Sequence, residues 1–301
     1  MLDDLSTGRL ENLRHLRGHP RLHLVVDTVL HRAVVNELVH KCDQVYHLAA
    51  AVGVRLIVER PVHTITTNIQ GTETVLEMAA RFGKRLLIAS TSEVYGDHRS
   101  TEPLSEDDRR VYGPTTVNRW AYAASKEVDE FLALAWHQEH GLDVVVARLF
   151  NVIGPRQTGD YGMVVPNFVQ KALAGEALEV HNDGLQTRSF CDVDDCVRGL
   201  MLLMDTPSTA GQVFNVGNGD AVTIGGLAET VRERCGSSSP IVNIPYEAAY
   251  GSGFEDMLHR RPAIDKIRDA TGWEPLIPLP EALDRIIAAE RAAGRAAALR
   301  A

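Results

Sequence analysis

Short runs of unbroken apolar residues alternate with longer amphipathic stretches through the first half of the chain. Gln44 to Ala50 (QVYHLAA) reads as a buried strand ending in small residues, and Arg85 to Ser90 (RLLIAS) and Asp143 to Leu149 (DVVVARL) read the same way. Between the first two, Pro61 to Phe82 predicts a helix: Val75, Met78, Ala79 and Phe82 recur at helical spacing, and Gly83 stops it. A polar loop rich in Asp, Arg and Pro, Asp97 to Thr116, leads into a second long helix from about Asn118 to His140, closed by Gly141. Strands that are apolar throughout and separated by helices predict an α/β fold with a parallel sheet covered on both faces. Ligands of such sheets bind beyond the carboxyl ends of the strands.

The texture changes after Asn151. GPRQTGDYG (Gly154 to Gly162) predicts a loop, and Val165 to Ala174 and Asp192 to Met204 predict helices. Gln212 to Val216 predicts a strand that returns to the main sheet. From Asp220 onward the pattern predicts a helix, a short strand at Pro240 to Pro245, a Gly-containing loop and two helices. The last of these, Pro280 to Ala298, fades into an Ala/Arg-rich tail.

A length of 301 residues accommodates one large α/β domain with a smaller one built onto it. The formal net charge of -9 argues against nucleic acid or an anionic membrane surface as the main partner, yet leaves room for a phosphate-bearing substrate held by a few local arginines. Cys42, Cys191, Cys196 and Cys235 show no disulfide framework, and no apolar stretch approaches a membrane span. The opening MLDDLSTGRLENL lacks the signature of a signal peptide, so the reading is a soluble, cytoplasmic protein. Cys191 and Cys196 are five apart with three aspartates between them, which matches no zinc spacing. The twelve histidines show no paired ligand spacing, so no metal is expected.

One constellation carries chemistry. Tyr122-Ala-Ala-Ser-Lys126 lies within the second long helix, and Ser90-Thr91-Ser92-Glu93-Val94-Tyr95-Gly96 follows a strand. Tyr122 and Lys126, four apart, project from one helical face. An ammonium held near a phenol favours the phenolate and lowers the tyrosine pKa from about 10, making Tyr122 a usable acid or base near neutrality. Thr91 can hydrogen-bond the same substrate oxygen. Taken alone, Tyr-x-x-x-Lys is also what an exposed helix pair looks like.

The set of motifs resembles the extended short-chain dehydrogenase/reductase superfamily, in its nucleotide-sugar epimerase/dehydratase/decarboxylase branch. The matching segments run in family order along nearly the whole chain: DDLSTG from Asp3, HLAA from His47, Asn68-x-x-Gly71-Thr72, STSEVYG, YxxxK, RLFNVIGPRQ from Arg148, QTRSF from Gln186, VFNVG from Val213, and HRRP with a trailing GWEP. The resemblance implies a Rossmann-like doubly wound parallel sheet with a smaller C-terminal α/β substrate-binding domain. The NAD-binding part would span 1–152 with about 205–219 returning, and the substrate-binding part 153–204 and 220–301. Asp3 would bind the adenosine ribose, which favours NAD over NADP because a carboxylate repels a 2′-phosphate. Asp27 would sit near the adenine, Leu48, Ala49 and Ala50 near the diphosphate with Asn68 beside them, and Tyr122 and Lys126 at the nicotinamide. Ser92, Asn151, Arg188 and Arg260 would contact substrate, Arg188 on its diphosphate. Asn68 and Asn151 also read as capping or turn residues, and Arg188 as a surface ion pair.

Thr91-Ser92-Glu93 resembles the decarboxylases of UDP-glucuronate-type sugars, in which Thr91, Glu93, Tyr122 and Lys126 would be catalytic and Arg260 would lie near the sugar carboxylate. Glu93 also reads as a structural carboxylate beside the loop. The resemblance thus implies NAD-dependent decarboxylation of a UDP-uronate through a transient 4-ketone. A UDP-sugar 4-epimerase, a dTDP- or other NDP-sugar 4,6-dehydratase and a non-catalytic remnant are the alternatives. It also implies a homodimer paired through two helices, one carrying Tyr-x-x-x-Lys. One feature departs from the pattern: the ribose-binding acid follows a glycine-rich phosphate turn by about 20 residues, so with the acid at Asp3 the first strand and that turn are missing from this chain. Pro262-Ala263 and His181-Asn182 are smaller departures, the latter leaving base specificity open.

Overall fold

The computed structural model describes residues 1–53, 57, 59–159, 162–250 and 256–298. Residues 160–161 of the predicted loop after Asn151, residues 251–255 of the Gly-containing loop and residues 299–301 of the tail lie outside the described residues. Two short strands, β1 (Leu2–Asp3) and β2 (Val25–Val26), precede helix α1 (Arg32–His40). Then β3 (Gln44–His47), α2 (Pro61–Arg81), β4 (Arg85–Thr91), α3 (Arg119–His140) and β5 (Val144–Leu149) alternate. The second half continues with β6 (Val152–Ile153), α4 (Val164–Ala174), β7 (Leu178–His181), β8 (Thr187–Ser189), β9 (Cys191–Asp192) and α5 (Val193–Asp205). After β10 (Gln212–Val216) come β11 (Ala221–Thr223), α6 (Ile224–Arg234), β12 (Ile241–Ile244) and α7 (Tyr246–Tyr250). The chain closes with β13 (His259–Arg260), α8 (Asp265–Thr271) and α9 (Leu279–Ala298).

The main sheet is parallel throughout, in the order β10-β5-β4-β3, so β10 returns beside β5 with Val213 opposite Val146. β1 and β2 form a separate parallel pair, Leu2 opposite Val25, with no ladder joining them to the main sheet. β3 stops at His47, short of the predicted Ala50, because its register with β4 runs out at His47–Ile88. Leu48 and Ala49 are exposed beyond it.

Alternate residues of the central strands feed two layers, as a doubly covered sheet requires. Leu86, Ile88, Val144 and Val146 pack with Val35, Val39, Val75, Leu76 and Ala133 from α1, α2 and α3. Leu87, Val145 and Ala147 face the opposite way, onto Leu200 and Leu203 of α5, Ile267 of α8 and Trp273. Each such fully buried aliphatic side chain contributes about 1.5–3 kcal/mol. A separate cluster, built from Phe168, Leu178, Val180, Leu227, Val231 and Ile287 among others, fills the second half under β7 and between α4, α6 and α9. Among the described residues no helix is long and apolar enough to cross a membrane.

Two motif glycines are dictated by close approach. A Cβ on Gly71 would meet Val29 Cγ2 at 2.4 Å, where α2 crosses the segment after β2. Gly96 sits at φ +74°, and a Cβ there would lie 2.0 Å from the Val111 carbonyl oxygen. A buried polar tie then sets α3 against the sheet. Arg148 of β5 donates from Nη2 to Glu130 Oε2 (2.7 Å), from Nε to Glu130 Oε1 (2.9 Å) and from Nη1 to the Tyr95 hydroxyl (2.9 Å). The Tyr95 hydroxyl in turn donates to Asn215 of β10 at 2.6 Å.

Candidate active site

The carboxyl ends of β4 and β5 deliver Thr91 and Asn151 to the same region, and α3 faces it with its first two turns. Every third or fourth residue of α3 is buried, Arg119, Tyr122, Lys126, Asp129, Glu130 and Ala133 among them, so the helix lies flat on the sheet edge. Tyr122 is 6% and Lys126 2% exposed, which removes the reading of an exposed helix pair. The Thr91 hydroxyl hydrogen-bonds the Tyr122 phenol and also accepts from the Glu93 amide at 3.2 Å.

The expected lowering of the Tyr122 pKa is overturned. Burial and the negative charges of Glu93 and Asp129 push the phenol well above its ordinary value, against the opposing pull of the Thr91 hydroxyl and Arg119. The Lys126 ammonium, counted on to do the reverse, donates to Asp129 Oδ2 at 2.6 Å in an ion pair whose side chains are 2% and 0% exposed. Its charge is largely met there.

Three guanidiniums line the cavity onto which the phenol opens. Glu93, on the turn after β4, is ion-paired to Arg119 and accepts from Arg260 at 3.3 Å. Burial alone would raise its pKa, but Arg119 and Arg260 outweigh it and hold the carboxyl down at about 2. Arg260 also donates to Asn151 Oδ1 at 2.6 Å, and Asn151 donates to the Ser189 carbonyl at 2.8 Å. Asn151 adopts φ +33° at the end of β5, so it is a turn residue and a partner of Arg260 at once. Burial and the nearby Arg188 lower the Arg260 pKa to about 10, which leaves it charged at neutrality. Arg188 is 7% exposed and pairs with Asp256 at 2.9 Å, a buried contact and not the surface ion pair that its sequence also allowed. Asp256 accepts from the Tyr246 hydroxyl at 3.1 Å. Arg119, Arg188 and Arg260 against Glu93 and Asp256 leave one positive charge in excess. A cavity of about 440 Å³ opens onto Tyr122, Glu93, Asn151 and these arginines, and continues along α4 and β7 past Lys171 and His181.

The candidate cofactor residues lie elsewhere along the same edge. Asp3 and Asp27 end the neighbouring strands β1 and β2, and the Asp27 amide donates to the Asp3 carbonyl at 3.3 Å. Asp3 Oδ1 accepts from the Leu5 amide at 2.8 Å, and Gly8 passes so close that a Cβ there would stand 2.9 Å from it. Asn68 is buried in the middle of α2, which excludes a capping role. It accepts from the Ala51 amide at 2.8 Å and donates to the Ser125 hydroxyl at 3.1 Å, pinning the segment that follows Ala50 to α3. Asp3, Asp27, Leu48, Ala49, Ala50, Asn68, Thr91, Ser92 and Lys126 do not line the cavity of Tyr122; Ser92 is 2% exposed beneath it.

Sequence reasoning missed Arg119, Asp129 and Asp256. Arg119 stands three residues before Tyr122 and Asp129 three after Lys126, spacings that place both on the tyrosine face of a helix. Asp256 carries no such signal, because an irregular segment brings it to Arg188.

A buried Tyr/Lys pair lies at the carboxyl ends of a parallel sheet in an α/β fold, and the arginine-lined cavity onto which Tyr122 opens suits an anionic ligand. The chain belongs to the NAD dependent epimerase/dehydratase family, whose model matches residues 2–217. It is 36% identical over 95% of its length to UDP-N-acetyl-alpha-D-glucosaminuronate decarboxylase of Bacillus cytotoxicus, 88% of which is covered. It is 40% identical over 93% of its length to UDP-glucuronic acid decarboxylase 5 of Arabidopsis thaliana, 78% of which is covered. The crystal structure of UDP-glucuronic acid 4-epimerase from Bacillus cereus, in complex with UDP-glucuronic acid and NAD, superposes with a TM-score of 0.84 at 25% identity, covering 94% of this chain and 86% of that one. The cofactor of the family is NAD. The Asp3 carboxylate, at the end of β1 with Gly8 folded against it, suits the hydroxyls of an adenosine ribose.

Proposed function

We propose that this chain decarboxylates a UDP-linked uronic acid, with Tyr122 as the proton-transfer group. The observation that carries the reading is the set of three buried guanidiniums lining the cavity that opens onto Tyr122, with its single positive charge in excess. A UDP-uronate brings two kinds of anion, a diphosphate and a sugar carboxylate, and guanidinium forks suit both. Arg188 takes the diphosphate and Arg260, steadied by Asn151, the carboxylate. Glu93, held ionised by Arg119 and Arg260, positions those two guanidiniums; it does not donate a proton near neutrality. Two curated relatives that match most of this chain are named as decarboxylases of UDP-linked uronates.

NAD, when bound near Asp3, Asp27, Leu48, Ala49, Ala50, Asn68 and Lys126, supplies hydride acceptance from C4 of the sugar and its later return. Tyr122 takes the proton of the 4-hydroxyl. A ketone at C4 makes the C5 carboxylate a β-keto acid: carbon dioxide leaves, C5 takes a proton from water in its place, and the electrons of the broken carbon–carbon bond are held meanwhile on the ketone oxygen. The hydroxyls of Thr91 and Tyr122 donate to that oxygen as negative charge builds on it. Ser92 supports the turn that carries Thr91 and Glu93.

We assign 1–152 with 205–219 to the cofactor and 153–204 with 220–301 to the substrate. We also propose a homodimer: α2 and α3 lie side by side, and Val62, Ile65, Val128 and Phe131 leave an exposed apolar face across them. The deciding experiment incubates the full chain with NAD and UDP-glucuronate and identifies the products. Carbon dioxide with a UDP-pentose is expected; a UDP-hexuronate isomer of unchanged mass would replace this reading with epimerisation.

A further inference from the structure

Along α3, Tyr122, Lys126 and Asp129 fall at i, i+4 and i+7, which puts the Lys126 ammonium on one stripe with a phenol and the Asp129 carboxylate. The carboxylate holds it, at 2.6 Å and out of water. An ammonium paired at that distance offers little net charge to a group on its other side. Asp129 has no part in the proposed chemistry, and its buried carboxylate is met by the Thr72 side chain as well as by the ammonium.

The charged and titratable neighbours are few. Lys126 faces Asp129 and, from β3, the His47 ring; Asp129 also faces Thr72 from α2 and Glu130 on its own helix. The phenol faces Thr91 and Glu93 from the turn after β4, and Arg119 and Asp129 from α3. Of these groups, Lys126 is the cation that two acids of α3 compete for.

We propose that Asp129 is a positioning residue that acts through Lys126: it draws the ammonium away from the Tyr122 phenol and so sets how basic that phenol is. A ligand diol, such as the ribose of a dinucleotide, competes with Asp129 for the same ammonium and returns it to the tyrosine side. The inference rests on the reading of Tyr122 as the proton-transfer group, but its test needs no cofactor.

Tyrosine ionisation of the full chain is followed by ultraviolet difference absorbance from about pH 8 to 11, subtracting for each variant its Tyr122→Phe counterpart. Wild-type Tyr122 is expected not to ionise in that window. Asp129→Asn brings its midpoint into the window, a fall of more than about one pH unit, or tenfold in proton affinity; Asp129→Glu, which keeps the charge, does not. In a Lys126→Met background Asp129→Asn lowers the midpoint by less than it does beside Lys126, because only the direct repulsion by the Asp129 charge is then removed. An unmoved midpoint, or an equal shift with and without Lys126, overturns the proposal. Asp129→Ser is the second variant should Asp129→Asn fail to fold; unfolding of both assigns the pair to stability and overturns it as well. Full turnover of UDP-glucuronate by Tyr122→Phe, with the midpoint shift intact, would instead remove the reading of Tyr122 and leave the coupling standing.

Discussion

His47 shows how far a single buried side chain can depart from its solution behaviour. Burial, and after it the Lys126 charge, lower its pKa from 6.5 to about 3, and its ring contacts the Thr72 hydroxyl at 3.1 Å. A folded-state pKa below the unfolded one means stability that is fully present above pH 6.5 and lost as pH falls towards 3. Between pH 7 and 5 the unfolded chain takes up a proton that the folded one refuses, which costs about 2 kcal/mol. Urea unfolding at the two pH values should show that loss in the wild type and its absence in His47→Gln. An equal loss in both would assign the pH dependence to other groups. Glu93 follows the same sign rule over a lower window, between its ordinary value near 4.5 and about 2. Tyr122 was the residue most visible in the sequence, and its proton affinity the property least visible, because Asp129, Glu93 and Arg119 set it jointly.

At the level of elements, α3 carries the site, and its angle on the sheet decides which side chains reach the cavity. The bond that sets the angle is buried: Arg148 and Glu130 are 3% and 6% exposed. Arg148→Met leaves an unpaired carboxylate in the interior and should cost about 3–5 kcal/mol in chemical denaturation. Replacing both members with apolar residues, Arg148→Met with Glu130→Leu, should recover most of that loss. A double variant as unstable as the single one would locate the cost in packing. The element boundaries read from the sequence agree with the structure where a strand is apolar on its buried side, as in β4 and β5, and in α3, which Gly141 closes. They fail at β3, where small and apolar residues run on to Ala50 but the ladder ends at His47 although β4 continues to Thr91.

For the whole molecule, two faces follow from what the elements leave uncovered. The cavity gathers side chains from α3, the turn after β4, the end of β5, β8 and β13, segments up to 167 residues apart in the case of Glu93 and Arg260. The apolar face on α2 and α3 points away from the core, with Phe131 66% and Val62 77% exposed. Light scattering coupled to size exclusion should give twice the chain mass for the wild type, and the chain mass for Phe131→Glu. A monomeric wild type would refute the dimer.

The sequence by itself determined the α/β class, the alternation of strands and helices, the Tyr122/Lys126 pair and the family, because these depend on local periodicity and on motifs that each lie within a few residues. The tertiary structure alone decided three things. Arg119, 26 residues along the chain, and Arg260, 167 residues along, both close on Glu93 and hold its carboxylate ionised. Asp256 reaches Arg188 along an irregular segment that no periodicity describes. Lys126 turns to Asp129, and burial together with the Glu93 and Asp129 charges pushes the Tyr122 phenol up. The common reason is electrostatic: charge interactions depend on distance and burial, which a linear pattern does not encode.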